Sequence, residues 1–181
     1  MTQVASVRSA STLWIMLLTL ASVATTLALK CATPFPALAA LAAVHMRRSD
    51  GIALMLVAWG ASQLVGFCLL DYPTTANTFG WGAAMGAAAV AGAVAAHAAA
   101  ARLRSGLLVS LAASYVAAFV VFKVVTLLAS LGLHGGGGAF AADVLVRQFA
   151  RNAAILVGLL GIYQLLTAAG VPAVQCERVP A

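Results

Sequence analysis

The chain has 181 residues, 64% of them hydrophobic and 8% charged, with a mean hydropathy of +1.05. No soluble domain hides that much apolar surface, so the composition excludes a soluble globular protein and indicates an integral membrane chain. The formal net charge of +6 would suggest a nucleic-acid partner in a soluble protein. Here the basic residues gather in short loops, where they act as membrane-orientation signals, and nothing else points to RNA or DNA. Long apolar runs without alternation also exclude an outer-membrane barrel.

Six apolar segments follow one another, at 12–29, 34–46, 51–70, 79–101, 106–131 and 140–170. Their connections are short, so residues 1–181 are read as one transmembrane domain. The expected fold is all-α: a polytopic helical bundle of about six spans, one of them short and proline-initiated. The first segment follows Arg8, is longer than a signal-peptide core, and reaches Lys30 with no small-x-small cleavage site before it. It is read as a retained span.

The second segment organises the rest. Pro34 and Pro36 lack backbone donors and suit a helix's first turn, so a helix begins there and runs to Arg47-Arg48. Its roughly 12 residues reach ~18 Å, against a hydrocarbon core of ~30 Å. A proline-rich entry at membrane depth is tolerated only where protein or a water-filled cavity covers its carbonyls. The expectation is that the other helices wrap around this one.

The fourth segment carries Gly80-Trp81-Gly82-Ala83-Ala84-Met85-Gly86, in which Gly82 and Gly86 form a small-xxx-small pair expected to serve internal packing. After the fifth, His134-Gly135-Gly136-Gly137-Gly138 cannot hold a single backbone shape and reads as a mobile loop, either a gate or a passive linker. The last segment exceeds one membrane thickness. Asp143, Arg147 and Arg151 recur at i, i+4 and i+8, so these charged turns either project beyond the membrane or line a polar cavity, and 152–170 is the span proper.

Arg8, Arg47-Arg48, Arg102-Arg104 and Arg178 occupy alternate loops or tails. The positive-inside rule then places both termini in the cytoplasm of an inner-membrane, multi-pass protein, with Lys30, Asp71 and the glycine loop outside.

No HExxH, GxSxG or Walker A motif and no pair of carboxylates occurs, so the chain reads as a non-enzyme with no cofactor. His45 and His97 lie at similar depth, which keeps a haem-carrying subunit as a minor reading. Cys31, Cys68 and Cys176 lack metal-site spacing; Cys31 and Cys68 share one face, where a disulfide requires an oxidising compartment, and lone thiols are favoured. Intramembrane polar groups are costly and mark function. Gln63 and Lys123 both sit ~12 Å below the outer helix ends; Arg151 and Asn152 reach comparable depth if the last helix starts near Phe140, Arg147 lies on the same face as Arg151, and Trp59 is one turn from Gln63. These six are the candidate ligand-binding residues of an outward pocket for a small polar or anionic solute.

With Thr33-Pro34-Phe35-Pro36-Ala37-Leu38-Ala39-Ala40 as a Pro-then-Ala entry, and Ala24 and Ala28 as an Ala-x-x-x-Ala pair in the first span, the chain resembles the substrate-binding S-components of energy-coupling-factor (ECF) transporters. The resemblance implies six helices with cytoplasmic termini and an outward ligand pocket. It also implies capture of a small nutrient, and partnership with an ATPase and a transmembrane coupling subunit. The competing expectation is a non-transporting membrane anchor or scaffold of a larger complex.

Overall fold

A computed structural model describes residues 2–29, 34–103 and 106–172. Lys30, Cys31, Thr33, Arg104, Cys176 and Arg178 lie outside the described residues, as do the side chains of Arg8 and Ala28. The chain forms α1 (Thr2–Leu29), α2 (Phe35–His45), α3 (Arg48–Leu69), α4 (Ala76–Arg102), α5 (Leu107–Ser130) and α6 (Ala142–Ala168), with a 3-10 turn at Gly137–Phe140. Helices α3 to α6 are each long and apolar enough to cross a membrane. The chain is a multi-pass, all-helical membrane protein. Successive helices alternate between one end of the bundle bearing Arg47, Arg48 and Arg102 and another bearing Asp71 and the glycine loop.

Helix α2 begins where the prolines put it, with Pro36 in its first turn, and every residue from Phe35 to Ala43 is buried. A helix that is apolar all round is stable only inside other protein. Accordingly α2 packs against α3, α4, α5 and α6. Its alanines let those neighbours close in, since without a hydrophobic drive in lipid, association depends on tight packing around small residues. The short helix is thus the centre of the bundle, as its length and composition predict.

Helix α4 turns a stripe of small residues inward: Gly82, Gly86, Ala89, Gly92, Ala93 and Ala96 are all buried. At Gly92 two backbones come close, because a Cβ there would lie 3.2 Å from the Ala118 carbonyl oxygen of α5. Ser114 Oγ donates to Ala96 O at 3.1 Å across the same seam. The Gly82–Gly86 pair packs internally too, but it admits a side chain and not a backbone. A Cβ on Gly86 would meet the Trp59 indole of α3 at 2.8 Å.

Polar links fix the remaining helices. Ser11 Oγ of α1 donates to Asp50 Oδ2 at 2.5 Å, and Asp50 sits in the first turn of α3, where a carboxylate suits the helix dipole. Trp14 holds α1 to the C-terminal end of α6, with Nε1 donating to Pro172 O at 2.9 Å and its ring 4.6 Å from that of Tyr163. Helix α6 is continuous from Ala142 to Ala168, so the charged turns and the span proper form a single rod.

A cationic, aromatic-walled cavity above the short helix

Helices α2 and α6 run in the same direction, and the His45 ring at the end of α2 packs tilted against that of Tyr163 of α6, centroids 4.2 Å apart. The same number of residues back along each helix brings Pro34 level with Asn152, since both rise ~1.5 Å per residue. Toward the glycine loop from that level, α6 continues with Arg151 and Gln148 while α2 has ended. An 11-residue helix covers only ~16 Å of a ~30 Å core. The long helices carry on around the space it leaves, and a cavity of about 680 Å³ opens there.

Phe122 joins this cavity to the short helix, its ring 6.0 Å from that of Phe35. One wall is cationic. Lys123 of α5 donates through Nζ to Gln148 Oε1 of α6, and the ammonium lies 5.9 Å from the Phe119 centroid and 5.6 Å from that of Phe140. Aromatic faces within about 6 Å stabilise a cation through the ring quadrupole. Arg151, three residues from Gln148 and so on the same helix face, lines the cavity and makes no ion pair or hydrogen bond among the described residues. None of the described lining residues is acidic.

Other lining residues come from α3, α4 and the loop between them: Ser62, Gln63, Tyr72, Trp81 and Met85. Just beyond the end of α3, Asp71 takes the left-handed region (φ 50°), a conformation aspartate tolerates better than most residues, and the Tyr72 N–H returns to Gly66 O at 3.1 Å. Gly66 leaves room for the Tyr72 ring, which a Cβ would meet at 2.7 Å.

The glycine loop is latched, contrary to the freely mobile loop its composition suggests. Asn77 donates through Nδ2 to His134 O at 3.1 Å and accepts from His134 N–H at 3.0 Å, while Trp81 Nε1 donates to the same carbonyl at 3.0 Å. Gly136 rests on the Trp81 ring, where a Cβ would clash at 2.5 Å. Gly135 and Gly136 then line the cavity, followed by Ala139 and Phe140. Each Asn77 bond is worth about 1 kcal/mol. Asn77→Ala is expected to speed amide exchange across Gly135 to Ala139 by roughly tenfold or more; unchanged exchange would show that Trp81 alone holds the loop.

Of the six residues expected in the pocket, Gln63, Lys123 and Arg151 line the cavity. Trp59 does not: its Nε1 donates to Gly82 O at 2.8 Å, which turns the indole into the α3–α4 seam behind Gln63. Arg147 does not: it pairs with Asp143 at 3.2 Å on the exposed face of α6, both side chains about two-thirds exposed (67% and 69%). Asn152 is buried one turn below Gln148, to whose carbonyl its Nδ2 donates at 3.1 Å, and it lies outside the lining. Reasoning from sequence missed the aromatic walls and Gln148. Only the spacing of Phe119 and Phe122 around Lys123, and of Gln148 before Arg151, hinted at them.

The two histidines do not share this space. His45 Nδ1 lies 3.1 Å from Leu41 O and His97 Nδ1 2.9 Å from Ala93 O, each within its own helix, and His97 Nε2 is buried against Gly51. Among the described residues no three His, Cys, Asp or Glu side chains cluster as a metal site would require. Cys68 is exposed near the end of α3, and its suggested partner Cys31 is outside the described residues. Compared with family models, with curated proteins and with solved structures, the chain finds no match in any of the three.

Proposed function

We propose that the chain is the substrate-capturing membrane subunit of a nutrient-uptake transporter, similar to the S-components of ECF systems. It binds a small polar or anionic solute in a cavity facing outwards. The observation that carries this reading is the cavity of about 680 Å³ bearing Lys123 and Arg151 with no acidic residue among its described lining. Orientation follows from Arg47, Arg48 and Arg102 gathering at the opposite end of the bundle, which the positive-inside rule assigns to the cytoplasm. Short helices facing a cavity are a recurrent way for transporters to build a site at membrane depth. A membrane anchor has no need for two positive charges in such a space, where each is costly without a counter-charge.

Two measurements test the proposal. In a background lacking the native cysteines, an impermeant reagent applied from outside is expected to label a cysteine placed at Gly135 and not one placed at Arg48. Labelling at position 48 alone would reverse the orientation and close the cavity to external solutes. Purification from native membranes in mild detergent is expected to retain an ATPase and a transmembrane coupling subunit. Retention of a different membrane complex without an ATPase would make the chain an anchor subunit.

A further inference from the structure

The shape and lining of the cavity narrow its ligand beyond "small and anionic". A volume of about 680 Å³ holds more than about twenty waters at about 30 Å³ each, and lies within the range of ~300 to 1,000 Å³ typical of sites for organic ligands. An inorganic anion would fill a small corner beside Lys123 and Arg151 and leave the rest wet. Aromatic rings make up much of the rest: Trp81 and Tyr72 line the same cavity as the cations, and Phe122 lies next to Lys123 in the chain. The edges of Trp81 and Tyr72 are fixed, Trp81 by its bond to His134 O and Tyr72 by its fit over Gly66, so their faces are set before any ligand arrives.

The cationic wall is likewise prepared. An ammonium has three donors, and Lys123 gives one to Gln148 Oε1 while two aromatic rings hold the nitrogen in place. Arg151 offers a planar fork with no partner among the described residues, a geometry that matches a carboxylate with two parallel hydrogen bonds. Gln148, which accepts from Lys123, lies three residues before Arg151 and so shares its helix face.

From this arrangement we infer that the ligand is a two-ended organic anion, with a carboxylate-like head held between Lys123 and Arg151 and a flat aromatic body lying against Trp81 and Tyr72. The inference rests on the pocket reading above and specifies its substrate class. Planar rings suit the site because aromatic pairs gain stacking energy beyond burial, and rigid walls lose little entropy on binding.

Calorimetry on the full chain in nanodiscs of neutral lipid tests each end separately. The probes are naphthoate, which has both ends; naphthamide, which keeps the rings and loses the charge; octanoate, which keeps the charge on a flexible, lipid-like body; and inorganic phosphate. Naphthoate is expected to bind at least about tenfold more tightly than any of the other three. Equal binding of naphthamide would overturn the acidic head, and equal binding of octanoate the aromatic body. If phosphate binds as tightly and Lys123→Met abolishes it, the ligand is an inorganic anion: the inference fails while the pocket stands. If none of the four binds, both the inference and the anion-binding pocket beneath it are overturned.

Discussion

Lys123→Met is expected to weaken binding in the cavity by about 30-fold to several thousand-fold, and Arg151→Gln, at an exposed residue where solvent screens the charge, by less. Losing one partner of a desolvated charge pair typically costs ~2 to 5 kcal/mol, most of it because the other charge is left buried and alone. The fold should survive both changes. Methionine keeps the straight chain of Lys123 between Phe119 and Phe140, and water in the cavity can replace the donor lost to Gln148 Oε1. Arg151 supports no neighbour among the described residues, so its removal breaks no internal bond. Arg147→Gln is the matched control. Its pair with Asp143 is an exposed i,i+4 bridge, a type worth about 0.3 to 0.5 kcal/mol, and binding should not change. Affinity for the tightest-binding probe, read by calorimetry beside the melting temperature of each variant, checks all three. Loss of binding in Arg147→Gln equal to that in Arg151→Gln would move the site to the outer face of α6. Unfolding of Lys123→Met and Arg151→Gln alike would make these residues structural.

The two arginines show where local pattern ceases to be informative. At 100° per residue, a step of four advances by about 40° around a helix, so a row at i, i+4, i+8 drifts across the face it nominally shares. Asp143 and Arg147 pair near the start of α6 on the outside, and by Arg151 the row has turned to the cavity. Lys123 was legible because a charge inside a membrane segment is rare enough to demand a reason. Trp59 misled for the opposite reason. Its spacing to Gln63 correctly placed both on one side of α3, but the Gly82 carbonyl that captures the indole belongs to another helix, and no local pattern reveals it. Trp81 and Tyr72 were invisible as walls. Trp81 stood out only through its flanking glycines, and its orientation depends on His134, far along the chain. The architecture was more accessible, because Pro34 and Pro36 act within their own turn and the length of an apolar run needs no tertiary information.

Ala39→Leu, and separately Ala40→Leu, is expected to destabilise the protein by ~1 to 3 kcal/mol or more. Both alanines are buried to 1% exposure or less in the middle of α2. Extra methylenes there meet helices on several sides, because α3, α4, α5 and α6 all pack on this one. The cavity cannot relieve the strain, since it begins near Phe35, about one turn nearer the glycine loop. At Ala87, on the exposed face of α4, the same substitution adds apolar surface toward lipid. Ala87→Leu should leave the melting temperature in detergent within error. A comparison of the three variants separates crowding from any general intolerance of leucine in an alanine-rich chain. The central helix also supports the site, through the Phe35–Phe122 contact. A leucine variant that stays folded by shifting α2 should therefore bind the anion more weakly than wild type, although none of its changed atoms touches the ligand. Melting temperatures of Ala39→Leu and Ala40→Leu equal to wild type would place α2 at the periphery and remove the reason for a cavity above it.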